Sequence, residues 1–146
     1  MNTKIKMLGV TGLLIVLILS FGCAPKVDVE EARSYGDPMT ENLLVAINEN
    51  DYTKFSKDLD NAMKTALPES AFSDFISQIN GRVGNYVIGS KEFREAYMTE
   101  QYINIVYKTQ FTEESEEVTV RVVFVKADGE TKISGLWFDS PKLKEK

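Results

Sequence analysis

Residues Tyr102–Phe138 read YINIVYKTQFTEESEEVTVRVVFVKADGETKISGLWF and contain the clearest strand patterns of the chain. The first part of this stretch, Tyr102–Phe111, alternates apolar and polar residues with a period of two, which predicts a strand with one buried face. The next apolar run, Val118–Lys126, is rich in β-branched residues and is nearly apolar throughout, as is typical of a central strand. The pair Asp128-Gly129 predicts a two-residue hairpin turn into a last strand over Thr131–Phe138. The stretch therefore predicts an antiparallel meander with short turns.

Two shorter strands are predicted ahead of this meander. The first covers Tyr86–Ser90 and the second Phe93–Met98, with a turn at Thr99–Gln101 leading into the meander. The alternation of Phe93 and Tyr97 with charged residues favours a strand, although the glutamate and alanine content of this segment would also suit a helix.

Helical patterns occupy the part of the chain before these strands. Asp37-Pro38 is typical of an N-cap followed by proline at the first helical position, and it predicts the start of the first helix. Asp51 is predicted to cap a second helix with its apolar face along Tyr52–Ala66, and Pro68 to start a third helix that Gly81 ends. A run of helices followed by a run of strands predicts the α+β class, with three N-terminal helices packed on a curved antiparallel sheet.

The N-terminus has the features of an export signal. Two lysines precede an apolar run over Met7–Phe21, which is shorter than the roughly 20 residues that a membrane-spanning helix needs. Gly22 and Cys23 follow this run, and Cys23 is the only cysteine in the chain. This order resembles the lipobox of prokaryotic lipoproteins, which implies cleavage between Gly22 and Cys23 and a covalent lipid on the Cys23 thiol.

These features divide the chain into four parts. Residues 1–22 are predicted to be the signal peptide, 23–37 the lipidated cysteine and a polar tether, 38–140 a single α+β cone domain, and 141–146 a charged tail. A first turn of helix over Glu30–Ser34 is the alternative to the tether. The protein is then expected to be extracytoplasmic and bound to the membrane by its lipid. Ser20 and Phe21 depart from the usual lipobox residues, which leaves an ordinary signal peptide or an uncleaved anchor as alternatives.

The composition excludes several classes of chemistry. The chain has no histidine, so the Ser-His-Asp and Cys-His arrangements are absent and a zinc site is disfavoured. A lipid on Cys23 would leave no thiol for disulfides, catalysis or metal binding. The net charge of −5 disfavours nucleic acid as a partner. We therefore predict no metal and no cofactor other than the covalent lipid.

Four segments carry a resemblance to a known superfamily. The run Ile47–Phe55, the strand pattern Tyr102–Lys108, the apolar Val118–Phe124 and the motif Gly135–Phe138 together resemble the nuclear transport factor 2-like superfamily. More narrowly, the chain is similar to an uncharacterised prokaryotic family of this fold, a domain of unknown function that occurs in lipoproteins and beside hydrolase domains. The resemblance implies a cone in which a bent sheet wraps the helices around an apolar pocket. Relatives use such a pocket for catalysis or for binding, or they dimerise through the outer face of the sheet.

The candidate ligand-binding residues are aromatic side chains and one arginine. They are Tyr52, Tyr97, Tyr107, Arg121 and Trp137. Tyrosine and tryptophan offer an apolar body and a polar tip suited to a pocket mouth, although core packing is an alternative for each. A buried guanidinium in an apolar strand would need an anionic partner, whereas the alternative for Arg121 is a solvated place on the convex face.

Other acidic groups are interpreted as surface charge. Asp58 and Asp60 lie two positions apart on a predicted helix and so do not face each other, and Glu113–Glu117 lack the spacing of a calcium loop. No residue is assigned a catalytic role.

Three functions remain open at this point. The first is non-enzymatic binding of a small apolar or amphipathic ligand, or of an envelope partner. The second is a histidine-independent hydratase, isomerase or hydrolase that uses Asp and Tyr. The third is an assembly role as a homodimer or an accessory subunit.

Overall fold

The computed structural model describes residues 26–145, and these residues form five helices and four strands. The elements are α1 (Val29–Glu49), α2 (Tyr52–Ser56), α3 (Asn61–Ala66), α4 (Glu69–Val83), β1 (Glu92–Thr99), β2 (Tyr102–Thr109), β3 (Val118–Ala127), β4 (Glu130–Asp139) and α5 (Pro141–Lys144). The predicted signal peptide, the cleavage site and Cys23 lie outside the described residues. Within residues 26–145, no helix is both long enough and apolar enough to cross a bilayer.

The sheet is a four-stranded antiparallel meander in the order β1-β2-β3-β4, so β1 and β4 are its edges. Its outer hairpins turn at Glu100–Gln101 and at Asp128–Gly129, where Glu100, Asp128 and Gly129 have positive φ angles. Register shifts at Phe93/Glu95 and at Val123/Phe124 mark bulges, which bend the strands. Helices followed by this curved sheet confirm the predicted α+β class.

The first helix begins at Val29 rather than at Pro38, so residues 29–37 are helical and the prediction of a tether as far as residue 37 is wrong there. Asp28 is the N-cap, and its side chain accepts a hydrogen bond from the Glu31 amide at 3.0 Å. Pro38 lies inside the helix, where it removes one backbone donor. Burial of Ala32 and other residues in this first part of α1 compensates for that loss.

The helix predicted over Tyr52–Ala66 is two short helices, α2 and α3. The chain between them forms a parallel bridge in which Leu59 pairs with Ile133 of β4. The Asp60 amide donates to the Ile133 carbonyl, and the Ile133 amide donates to the Asp58 carbonyl, both at 2.8 Å. Docking on the sheet edge therefore interrupts the helical pattern, and Asp60 becomes the N-cap of α3.

Two other predictions differ from the structure. Tyr86–Ser90 is not a strand, because only a single bridge joins Tyr86 to Phe111. The predicted charged tail includes α5, which Ser140 caps and in which Pro141 occupies the first turn.

One hydrophobic core lies between the helices and the inner face of the sheet. Its largest fully buried side chains come from α1, α2, β2, β3 and β4, and from the end of α4. They are Tyr107, Phe55, Phe124, Leu43, Leu44, Ile47, Ile105, Ile133, Val83, Val118, Val120 and Val122. At one end of this core the packing leaves a cavity.

Candidate functional site

The candidate site is an apolar cavity of about 260 Å³ between the start of α1 and the tips of the two outer hairpins; we call it the inner cavity. Its apolar lining residues are Val27, which precedes α1, Ala32 and Tyr35 of α1, and Met98, Ile103, Phe124 and Val125 of the strands. The Tyr35 and Phe124 rings meet edge to face with centroids 5.3 Å apart. An apolar ligand would find contacts on several sides in this cavity.

The polar groups of the inner cavity lie at its rim. Lys126 Nζ of β3 is 2.8 Å from Glu31 Oε1 of α1, and both side chains are largely exposed. Lys26, Asp28, Gln101 and Thr131 complete the rim. The charged groups of the rim are therefore paired with each other or exposed to water, and the apolar walls lie beneath them.

Tyr35 connects the wall and the rim. Burial raises the pKa of its phenol, the Glu31 carboxylate raises it further, and the Lys126 ammonium opposes both effects. The phenol therefore stays protonated at neutral pH.

The structure brings three of the five predicted ligand-binding residues together, since Tyr97, Arg121 and Trp137 line a hollow of about 520 Å³ on the side of the sheet away from the helices. None of the five lines the inner cavity. Tyr107 is fully buried in the core, where its hydroxyl donates to Asp37 Oδ1 at 3.0 Å. Tyr52 packs edge to face on Phe72 at 5.3 Å, and its hydroxyl donates to the Leu67 carbonyl. Both tyrosines therefore hold the core together, which is the alternative that the sequence left open.

The other three predicted residues lie on the face of the sheet that points away from the helices, the outer face. Trp137 is 49% exposed and Tyr97 is 36% exposed. The Arg121 guanidinium lies over the Trp137 ring, 4.5 Å from its centroid. Gly135 makes room for that ring, because a Cβ atom there would be 2.4 Å from Trp137 Cζ3. Arg121 is thus partly exposed and stacked on an aromatic ring rather than buried with an anion.

A polar network links α1 to the sheet beside the core. Arg33 pairs with Asp37 at 3.0 Å, and Asp37 accepts from the Tyr107 phenol. Next to it, the Tyr86 hydroxyl donates to Glu41 Oε2 at 2.9 Å. Burial, followed by the hydrogen bond to Glu41, raises the pKa of Tyr86 to about 12.

Burial, followed by the hydrogen bond to Asp37, likewise raises the pKa of Tyr107. Both phenols therefore remain neutral donors at physiological pH, which fits a structural role.

The acidic loop, residues 113–117, contains one structural carboxylate. Glu114 is buried, and its Oε2 accepts from the Lys142 amide at 3.1 Å. Burial opposes ionisation of Glu114, but hydrogen bonds from Ser140 and from the backbone outweigh it and lower the pKa. The interpretation of the whole loop as surface charge is therefore wrong for Glu114, which ties the loop to α5. Within residues 26–145, no three Asp, Glu, His or Cys side chains are arranged to hold a metal ion.

Sequence reasoning missed the inner cavity because its α1 wall falls in the segment assigned to a tether. A signal was present, since Ala32, Tyr35 and Met39 recur at helical spacing and all three pack on or within the core. The other walls come from three strands, and their meeting point depends on the tertiary fold.

The fold and the cavity define a class, an α+β domain whose helices cover one face of an antiparallel sheet and enclose a small apolar cavity. The chain belongs to the family DUF3887, described as a protein of unknown function, and the match covers residues 40–136, more than half of the chain. The chain is also similar to a solved variant of the designed protein Rd1NTF2_05, with 16% identity over 75% of this chain and 99% of that one, and a TM-score of 0.47. No curated protein matches the chain.

Proposed function

We propose that this protein is a lipid-anchored extracytoplasmic domain that binds a small apolar or amphipathic ligand in the inner cavity. The observation that carries the proposal is the cavity itself, which has apolar walls and a polar rim at one end of the domain. A cavity of about 260 Å³ with an open rim is accordingly suited to an occupant.

Binding is favoured over acid–base chemistry by the state of the ionisable groups. At the rim, Glu31 is paired with Lys126, and Asp28 caps α1. Tyr35 does line the inner cavity, but burial raises the pKa of its phenol, so it is not a base at neutral pH. The phenols of Tyr86 and Tyr107 belong to the polar network and do not line the inner cavity. An enzyme would need a poised acid or base within reach of its substrate.

The anchor rests on the sequence alone. Cys23 is the only cysteine, and it follows an apolar run and a small residue, as a lipidated cysteine does. It also precedes Lys26, the first described residue of the rim, by three positions. A lipid there would hold the domain by the end that carries the inner cavity.

Native mass spectrometry of the full-length chain, extracted gently from a bacterial envelope, tests both parts of the proposal. We expect the mass of a chain cleaved before Cys23 and acylated, together with a non-covalent adduct that leaves on denaturation. A Cys23→Ser chain should lose the acyl mass. An uncleaved or unacylated wild-type chain would refute the anchor.

Two variants on one strand locate the adduct. Ile103→Trp adds bulk inside the inner cavity, whereas Val106→Trp adds the same ring on the outer face of β2. The adduct should disappear only in Ile103→Trp, with both variants folded by circular dichroism. An adduct that persists in folded Ile103→Trp would show that the cavity is not the binding site.

A second candidate function, assembly through the outer face, is favoured by the exposure of Trp137. This side chain borders two surface hollows of about 350 and 520 Å³, one beside α4 and one across β1–β4. Exposed aromatic side chains of this kind are enriched at protein interfaces. Light scattering of the full-length protein and of Trp137→Ala decides the point, because a dimer that becomes a monomer supports assembly and a monomer in both cases refutes self-association.

A further inference from the structure

We infer that the ligand of the inner cavity is a compact, neutral aromatic compound of one or two rings that carries a single hydroxyl or carbonyl oxygen. The inference rests on the proposed function, because it names the ligand class for the same cavity. Three features of the cavity support it: its volume, the aromatic side chains of its wall and the neutral polar side chains of its rim.

The volume of the inner cavity sets the size of the ligand. A cavity of roughly 150 Å³ accommodates one benzene ring. By the same ratio, the inner cavity, at about 260 Å³, accommodates about ten atoms other than hydrogen. Two fused six-membered rings have this size, whereas the long acyl chain of a membrane lipid exceeds it. The cavity therefore suits a small compound that enters as a whole.

The wall of the inner cavity favours an aromatic ring over a flexible chain. The Tyr35 and Phe124 rings meet edge to face with their centroids 5.3 Å apart, and Met98 contributes a thioether to the lining. Aromatic rings attract one another in edge-to-face and offset-stacked arrangements, and sulfur makes favourable contacts with ring edges. A rigid ring also loses less conformational freedom on binding than a chain with several rotatable bonds. A planar ring is therefore the better match to this wall.

The charged groups of the rim do not favour an ionic ligand. Lys126 Nζ lies 2.8 Å from Glu31 Oε1, and Asp28 accepts the hydrogen bond that caps α1. Lys26 is exposed to water. An ionic ligand would lose its hydration on entering the cavity and would find no buried, unpaired charge among these residues in return. A neutral ligand avoids this loss.

Neutral polar side chains of the lining suit a single ligand oxygen. Tyr35 contributes a phenol, and Gln101 and Thr131 contribute an amide and a hydroxyl group. Within residues 26–145, burial and the charges of Glu31 and Lys126, rather than a hydrogen bond, shift the pKa of this phenol. The protonated Tyr35 hydroxyl is therefore available to donate to a hydroxyl or carbonyl oxygen of the ligand, while the ligand ring lies against the apolar wall.

Equilibrium dialysis of small probes against the full-length protein in detergent tests the inference. The main probe is 2-naphthol, which is neutral at neutral pH and carries one hydroxyl group on two fused rings. Its analogues are 2-methylnaphthalene, which lacks the oxygen, 2-naphthoate, which is an anion, and 1-octanol, which replaces the rings by a chain. We expect 2-naphthol to bind at least about threefold more tightly than each analogue. The folded Ile103→Trp chain, whose cavity is blocked, measures the partition of each probe into detergent.

Two tyrosine variants separate recognition of the oxygen from packing on the ring. In Tyr35→Phe, the loss of one neutral hydrogen bond should weaken the binding of 2-naphthol roughly three- to tenfold and leave that of 2-methylnaphthalene unchanged. The matched control is Tyr97→Phe, which removes the same group from the outer face and should leave both affinities unchanged. If Ile103→Trp does not fold, Met98→Trp blocks the same cavity from β1.

The other outcomes separate this inference from the proposed function. Tighter binding of 2-naphthoate would show that the rim selects an anion, and tighter binding of 1-octanol would show that the wall prefers a chain; either result overturns the inference. An equal effect of Tyr35→Phe on 2-naphthol and 2-methylnaphthalene would also overturn it. If no probe binds but Ile103→Trp removes the native adduct, the inference fails and the proposed function stands. If no probe binds and the adduct persists in folded Ile103→Trp, both fail.

Discussion

Removing a single buried hydroxyl group, by the substitution Tyr107→Phe, should measurably destabilise the domain. The phenol of Tyr107 is fully buried and donates to Asp37 Oδ1 at 3.0 Å. Hydrogen bonds to charged groups contribute about 1.5–3 kcal/mol to stability, and a buried partner left without its donor adds a desolvation cost. Asp37 keeps its contact with Arg33 in the variant, which limits that cost. We therefore expect the free energy of unfolding to fall by about 1.5–2.5 kcal/mol.

Urea unfolding followed by circular dichroism and by the emission of Trp137 measures this loss. The matched control is Tyr97→Phe, because Tyr97 lies on the outer face and is 36% exposed. Its stability should remain within about 0.5 kcal/mol of wild type, as for other surface substitutions. A loss of less than 0.5 kcal/mol in Tyr107→Phe, or equal losses in both variants, would refute the argument that the link between α1 and β2 depends on the buried phenol.

The remaining predictions concern the loss of stability at alkaline pH, three glycines and the single tryptophan. The folded pKa of Tyr86, about 12, exceeds its unfolded value near 10, so stability should fall as the pH rises through that window, by at most about 1.4 kcal/mol per pH unit. Urea unfolding at a series of alkaline pH values should show that the free energy of unfolding falls less steeply with pH in Tyr86→Phe than in wild type. Parallel dependences on pH in the two proteins would contradict this. Gly84 has φ +76°, and its added Cβ would lie 2.9 Å from a backbone nitrogen of the acidic loop, so Gly84→Ala should cost about 2–4 kcal/mol in urea unfolding. Gly81→Ala, in an exposed and open helical position, should instead raise the free energy of unfolding by about 0.5–1 kcal/mol. Equal effects at the two positions would refute the argument that only Gly84 requires glycine. Gly135→Ala should push the Trp137 ring outward and shift its emission to longer wavelength, and an unchanged spectrum would show that the ring does not rest there.

The sheet could be predicted from the sequence because each strand and turn is specified by a pattern within its own segment. Alternation along Tyr102–Phe111, the β-branched run from Val118 and the turn at Asp128-Gly129 each specify their own segment, and consecutive strands then pair. Local alternation also predicts the strand over Phe93–Met98, and the observed strand β1, Glu92–Thr99, is one residue longer at each end.

The errors arose where tertiary contacts override local patterns. Asp37-Pro38 has the composition of a helix start, yet α1 runs from Val29 through Pro38, and Ala32, Tyr35 and Met39 on both sides of the proline pack within or on the core. Leu59 fits a helical stripe, but pairing with Ile133 on the sheet edge breaks that helix in two. Aromatic composition likewise could not show which side of the sheet Trp137 would occupy.

The two edges of the meander affect whether the chain aggregates while it folds. An edge strand exposes unpaired amides and carbonyls, which invite pairing with another molecule. On β1, Glu92, Arg94 and Glu95 place charge along the edge, and the bulge beside Phe93 disturbs its regular spacing. On β4, the segment around Leu59 occupies part of the edge. Both edges are therefore protected against amyloid-like pairing with other chains. This protection should help a newly made chain to reach its native state at high local concentration.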